Sequence, residues 1–296
     1  MKITVFTSNQ ARHLHLISQL SEICDECYSV LECNTIFPGQ TKDFFAKSEV
    51  MQDYFKNVQL SEKKFFGDNS FSPSNNRSIS LKLGDLNRVS REILEPALSS
   101  DYYVVFGSSY IKGWLIDELV RKGAINIHMG VSPYYRGSSC NFWASQDNNF
   151  HLVGSTIHKL SKGLDSGDIL YHALPTVNDC QNTFDFTMKS VRAAHRSLVQ
   201  RISDGSIKNI ASEKQDSSLE IRYTKNKDFN DEVAKHFLDR SDTIEVVAEV
   251  LDANRRKKGF KNAFYTAVHR DTQCLFPIRT SNICSRSIAL FLKIFT

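Results

Sequence analysis

The chain has 296 residues, 41% of them hydrophobic and 24% charged, with 13 Gly and 6 Pro, a composition that excludes a disordered or fibrous protein. Its length sets an expectation of one full α/β domain plus a smaller second piece, since domains usually run to roughly 100–200 residues. The net charge of +4, carried by basic residues mostly spread along the chain, suits an anionic substrate and does not require nucleic acid.

The opening residues 1–7 hold one Lys and a few apolar residues before Ser8 and Asn9. That is too short for the apolar core of a secretory signal and reads as a first strand. Leu14, Ile17, Leu20 and Ile23 then recur at helical spacing, and residues 27–32 read as a second strand. Phe44, Val50, Met51, Tyr54 and Phe55 suggest a long helix with charges on its other face. Residues 67–77 are dense in turn formers and read as an exposed loop, followed by a helical stretch over 86–98. Tyr102, Tyr103, Val104, Val105 and Phe106 form a continuous apolar run ending in Gly107, the pattern of a buried parallel strand that delivers a loop.

A short helix over 111–122 leads to a strand over 124–128. Two further strands, 153–160 and 169–172, flank a loop over 161–168. Thr183 is placed to cap a helix carrying Phe186, Val191, Ala194 and Leu198. Strands alternating with helices predict an α/β fold with a doubly wound, mostly parallel sheet, in which ligands sit outside the carboxyl ends of the strands. The catalytic domain is expected to span 1–205, with 206–296 a small C-terminal region. In that region Asp242 and Glu245 read as a capping box for one helix, and the last thirty residues show no clear pattern.

The longest apolar stretch, 288–295, is interrupted by Lys293, well short of the roughly 18 apolar residues of a membrane-spanning helix. A cytoplasmic protein with no membrane partner is expected. The seven cysteines include Cys24-x-x-Cys27, but no second such pair follows and His13 and His15 lie at the wrong spacing for a zinc finger. Reduced structural thiols are favoured, and no metal is expected.

Asn126 and His128 sit at positions i and i+2 of a strand, so their polar groups project together while Ile125 and Ile127 face the core. The loop that follows, 129–137, is turn-rich and carries Tyr134 and Arg136, suited to lining a polar site. Further on, Gly163 and Gly167 bracket Asp165 and would let the backbone fold closely around a flat ligand. Taken singly, a strand histidine is more often structural than catalytic, and a Gly-x-Asp loop is more often a plain turn.

The combination resembles the 10-formyltetrahydrofolate-dependent formyltransferase family. The resemblance rests on Asn126-x-His128, on Pro133, Arg136 and Gly137 at fixed distances beyond it, and on Leu164-Asp165-Ser166-Gly167. The Gly-ended strand from Tyr103 to Gly107 lies about twenty residues before the Asn. These motifs cover residues 100–173. The resemblance implies a Rossmann-like domain with Asn126, His128 and Asp165 catalytic. It implies 10-formyltetrahydrofolate as donor co-substrate, its pteridine held by Gly107, Ser108, Ser109, Tyr110, Ile111, Lys162, Gly163 and Leu164. Asn126 and His128 would stabilise the tetrahedral oxyanion, while Asp165 would keep His128 charged and relay the proton of the attacking amine.

The acceptor departs from any one pattern. Family members acting on initiator methionyl-tRNA or nucleotide sugars usually carry Ser-Leu-Leu-Pro where this chain has Gly130-Val131-Ser132-Pro133, and the purine-pathway enzymes have a Gly-rich phosphate loop where it has Thr7-Ser8-Asn9-Gln10. A small-molecule amine on a nucleotide sugar, near Tyr134 and Arg136, is the first expectation. Methionyl-tRNA is the alternative, with Arg255, Arg256, Lys257, Lys258 and Lys261 as its phosphate contacts. Hydrolysis of the donor and a non-catalytic folate-binding module are further alternatives, and a homodimer is compatible with the sequence.

Overall fold

The structure, a computed structural model, describes residues 1–33, 47–68, 70–240 and 242–256, all within one compact unit. Phe44, Lys257, Lys258, Lys261 and the last thirty residues lie outside the described residues.

Strand β1 (Lys2–Ser8) leads through α1 (Ala11–Ser21) to β2 (Glu26–Cys33). Helix α2 (Glu49–Phe66) starts where the Ser48 side chain accepts the Met51 amide and stops at Gly67, whose φ of +72° reverses the chain. The loop expected over 67–77 ends early, in strand β3 (Asn76–Lys82). The helix expected over 86–98 is divided into the short turns Leu86–Arg88, Arg91–Leu94 and Glu95–Leu98. Pro96, which has no amide hydrogen to give a longer helix, sits at the start of the last turn. Then come β4 (Tyr102–Val105), α3 (Gly113–Arg121) and β5 (Ile125–His128). The short β6 (Tyr135–Gly137) and α4 (Cys140–Gln146) precede β7 (Ser155–Lys159) and β8 (Ile169–Ala173).

Helix α5 (Thr183–Ser203) follows. Its cap is Asn182 rather than Thr183: the Asn182 side chain accepts the Asp185 amide at 3.0 Å, and Thr183 is already helical. Beyond it lie β9 (Arg222–Thr224), α6 (Asp231–Arg240) and α7 (Ile244–Arg256). Asp242 pairs with Arg240 instead of capping α7.

Among the described residues, seven strands form one sheet in the order β3-β2-β1-β4-β5-β7-β8. The first five are parallel, whereas β7 runs antiparallel to β5 and β8 antiparallel to β7. This is the Rossmann-like α/β arrangement expected from the alternating elements, and the direction of winding switches between β1 and β4, where such sheets open a crevice. Alternation along the strands feeds two cores, one on each face. Ile3, Val5 and Val104 pack with Leu16 and Leu20 of α1 and Val191 and Leu198 of α5. Phe6, Tyr103 and Val105 pack with Leu115 and Leu119 of α3 and with Leu94 and Leu98 of the turns.

The described residues past 205 belong to the same compact unit. Strand β9 pairs in parallel with β6, Glu213 exchanges backbone hydrogen bonds with Ile169 at 2.7 and 2.8 Å, and Phe237 and Val247 are buried with Phe142, Trp143 and Phe186. No described helix is long and apolar enough to cross a membrane. Cys24, Cys27, Cys33, Cys140 and Cys180 are free thiols, and no described group of three His, Cys, Asp or Glu side chains is placed to hold a metal.

Candidate active site

A cleft of about 260 Å³ opens at the carboxyl ends of β4 and β5, between the loop after β4 and the loop that carries Asp165. Gly107, Ser108, Ser109, Tyr110, Ile111, Gly163 and Leu164 line it together with Asn126, His128 and Asp165. Three further residues, Lys162 expected through its backbone and Tyr134 and Arg136 expected on the acceptor side, are not among those that line it. The Lys162 ammonium turns outward to Asp117 at 2.6 Å, leaving only its carbonyl near the mouth, where it accepts the Tyr110 hydroxyl at 2.5 Å. Arg136 belongs to β6, where it pairs with Glu220 at 3.0 Å and stands over the Tyr223 ring. Tyr134 gives its backbone carbonyl to the Ile221 and Arg222 amides and is not part of the cleft wall.

Asn126, His128 and Asp165 converge from two elements far apart in sequence. His128 Nδ1 is 3.2 Å from one Asp165 oxygen. The Asn126 amide nitrogen donates to the other at 3.1 Å and to His158 Nε2 at 2.9 Å. His158 lies directly across the β5–β7 ladder from Asn126, and its Nδ1 donates to the Lys159 carbonyl at 2.8 Å. That bond fixes the tautomer: Nε2 is left as an acceptor, so the Asn126 amino group must face it. Both Asn126 amide hydrogens are therefore engaged.

Burial by itself would lower the pKa of His128, which is 7% exposed. Hydrogen bonding to Asp165 and to the Cys140 thiol, with the Asp165 charge, overrides burial and holds the imidazole up at about 10. Asp165 is the complement. Burial would raise its carboxyl, but the hydrogen bond and charge of His128 hold it far below the ordinary carboxylate value. An imidazolium–carboxylate pair is the result across the neutral range. His128 Nε2, on the far side of the ring from Asp165, is buried and has no hydrogen-bond partner of good geometry.

Local backbone explains how these side chains come so close. A Cβ on Gly130 would fall 2.8 Å from His128 Nε2 and 2.5 Å from Cys140 Cβ, so only glycine lets the chain turn beneath the imidazole. Gly167 is equally constrained, since its Cβ would lie 1.7 Å from the Lys159 carbonyl oxygen. Asp165 itself adopts the left-handed region at φ +46°, which Asp tolerates better than most residues. Gln215 supports that conformation from outside, donating to the Asp165 and Gly167 carbonyls at 2.8 Å each.

His158, Cys140, Gly130 and Gln215 were not singled out in the sequence. His158 could have been found by pairing the strand over 153–160 with that over 124–128, which puts it opposite Asn126. Gln215 carries no local signal, because only the return of the chain past 205 brings it to the loop.

The fold and site define an α/β domain whose cleft, at the carboxyl ends of its strands, holds a partly buried Asn-His-Asp cluster. Residues 92–202 match the family model described as formyl transferase, and Asn126, His128 and Asp165 all fall inside the matched stretch. The formyltransferase resemblance read from the motifs is thus carried by the family model as well. Over 124 residues the chain is 29% identical to formyltetrahydrofolate deformylase 2, mitochondrial, of Arabidopsis thaliana, a stretch covering 40% of this chain and 36% of that relative. Among solved structures it is similar to a 4-N formyltransferase from Francisella tularensis, at 19% identity over 90% of this chain and 93% of that one, with a TM-score of 0.46. It is also similar to a sugar N-formyltransferase from a Shewanella species, at 14% identity over 77% and 78% of the two chains, with a TM-score of 0.45.

Proposed function

We propose that this chain transfers a formyl group from 10-formyltetrahydrofolate to an amine. The observation that carries the reading is the His128–Asp165 pair in the cleft wall: a buried cation whose Nε2, close to the Cys140 thiol, makes no hydrogen bond of good geometry. A neutral amine attacking the formyl carbon creates an oxyanion, and a preorganised N–H donor bearing positive charge stabilises that state more than the substrate. His128 is the first donor to it. Asn126 contributes only by giving up its longer bond to Asp165, 3.1 Å, in favour of the formyl oxygen. Asp165 holds the imidazolium and relays the proton released by the attacking amine, directly or through water, to N10 of the donor, so that the intermediate collapses by breaking the formyl C–N10 bond and tetrahydrofolate leaves neutral. The pteridine fits between loop 107–111 and Gly163–Leu164, where backbone groups bond its edge, and no step calls for a metal.

For the acceptor, an amine on a nucleotide sugar is the favoured class. The Thr7 hydroxyl bonds the Phe106 carbonyl at 2.7 Å and the Ser8 hydroxyl bonds the Glu32 carbonyl at 2.9 Å, so the hydroxyls at the end of β1 are turned to internal partners and not to a ribonucleotide phosphate. Methionyl-tRNA is the alternative acceptor. A second reading is hydrolysis, with water in place of the amine. It is favoured by the 29% identity over 124 residues to a protein named as a deformylase.

Incubating the chain with 10-formyltetrahydrofolate and, separately, amino-sugar nucleotides, charged initiator tRNA or no acceptor separates the three. Formylated sugar is expected. Formylated tRNA alone would move the assignment to the tRNA enzyme, turnover without acceptor would move it to the hydrolase, and no consumption of donor in any arm would end the formyl-transfer reading.

A further inference from the structure

Glu32 ends β2 with a side chain that is 0% exposed. A buried carboxylate has to replace its lost water with donors or cations, and its partners here are backbone amides of two separate loops. One oxygen accepts Gly84 at 2.9 Å and Leu86 at 3.3 Å, and the other accepts Ser109 at 2.6 Å. Ser109 stands in the middle of the loop that walls the cleft. The same two loops are tied a second time by Asn87, whose side chain donates to the Tyr110 carbonyl at 2.9 Å and accepts the Lys112 amide at 2.7 Å. The loop that meets the ligand is thus fastened from behind.

We propose that Glu32 is a positioning residue of the cleft, fixing loop 107–111 so that its backbone groups stand ready for the folate ring. This rests on the donor reading above. It requires a carboxylate in particular, because amide hydrogens approach both oxygens and an acceptor-only group is the one that satisfies them together. Glutamine cannot do so: whichever way its amide is turned, an N–H faces an N–H on one side. Aspartate keeps the charge but is one methylene too short to reach both loops.

The test uses the full chain, with tetrahydrofolate as the titrant in calorimetry and amide hydrogen exchange read without ligand. In the wild type the Ser109 amide is expected to exchange slowly despite its place in a loop. In Glu32→Gln tetrahydrofolate should bind about tenfold more weakly, the scale of losing a charged hydrogen bond, with Ser109 exchange accelerated and the β1 and β4 amides unchanged. Glu32→Asp should fall between the two. Fast Ser109 exchange in the wild type would overturn the proposal even if neither variant folds, as would Glu32→Gln binding within twofold of the wild type. A wild-type chain that protects Ser109 but does not bind tetrahydrofolate would strike the donor reading instead.

Discussion

The surroundings of Asp165 and those of Arg136 are two regions built on different principles. Around Asp165 the fixed partners are many: the carboxylate meets His128 and Asn126, the backbone carbonyl accepts Gln215, and a glycine lets the turn pack against the Lys159 carbonyl, while His128 Nε2 and Gln215 Oε1 stay without a hydrogen-bond partner. Around Arg136 the interactions are few and wet, with an ion pair to Glu220 in which the partners are 26% and 30% exposed. The difference teaches where the chemistry is fixed in advance and where it is adaptable. Charge that must be held out of water needs a shell of partners around it, whereas a half-exposed pair can be exchanged for a ligand at small cost.

The largest effect should come from breaking the first region at its centre. Asp165→Asn removes the charge that keeps His128 cationic, and since burial is the strongest influence on that imidazole, its pKa should drop below the ordinary 6.5 once the pair is gone. At neutral pH the oxyanion donor would then be uncharged, and kcat should fall by about 10²–10³-fold, with the His128 ring protons in nuclear magnetic resonance shifting to the neutral form.

The same pair sets a stability window. His128 is raised from 6.5 to about 10, so its contribution is complete below pH 6.5 and is lost as pH climbs towards 10. Asp165 is lowered from 3.8, so its contribution is complete above 3.8 and is lost on acidification. The gap in Tm between wild type and Asp165→Asn should therefore be widest between those two ordinary values and shrink as pH rises above 6.5 towards about 10. A gap that widened with rising pH would break the assignment of a charged imidazole.

Much of the first region was legible in the sequence, for a physical reason. A strand imposes a period of two, so Asn126 and His128 had to share a face, and the apolar run before Gly107 had to be a buried strand that ends in a loop. What was hidden depends on register or on return of the chain. His158 meets Asn126 only because β7 pairs antiparallel with β5, and no local pattern announces that alignment. Strand β3 escaped because its sequence is polar and its side chains are mostly exposed at the sheet edge, so the turn formers before it dominated the reading. Helix α4 is seven residues long and buried nearly throughout, which leaves no amphipathic period to detect. Lys162 entered only through the resemblance, for its backbone groups, and its long side chain on an exposed turn finds Asp117.

A middle-sized effect tests whether the support reaching Asp165 from past residue 205 matters. Gln215→Ala deletes two hydrogen bonds to the loop carbonyls, and each such bond contributes about 0.5–1.5 kcal/mol net. Part of that should appear as a three- to tenfold rise in the donor KM, on the same scale, because the loop then relaxes away from the left-handed turn at Asp165. The value of kcat should change less, since His128 and Asp165 keep each other. Equal losses in both constants would mean that Gln215 orients the reacting groups themselves.

The smallest effect is expected at Arg136, and there its kind matters more than its size. Arg136→Ala breaks a half-exposed ion pair and should lower stability by at most about 1 kcal/mol. If the Glu220 pair opens to receive an anionic acceptor, the acceptor KM should rise while the donor KM and Asp165-dependent pH behaviour stay as they are. Glu220→Gln separates the two roles: it frees the guanidinium without removing it, and should leave acceptor binding unchanged or tighter. A fall in acceptor affinity in both variants would show that the pair is needed intact, as a brace between β6 and the segment before β9, and would move the acceptor away from this side of the molecule.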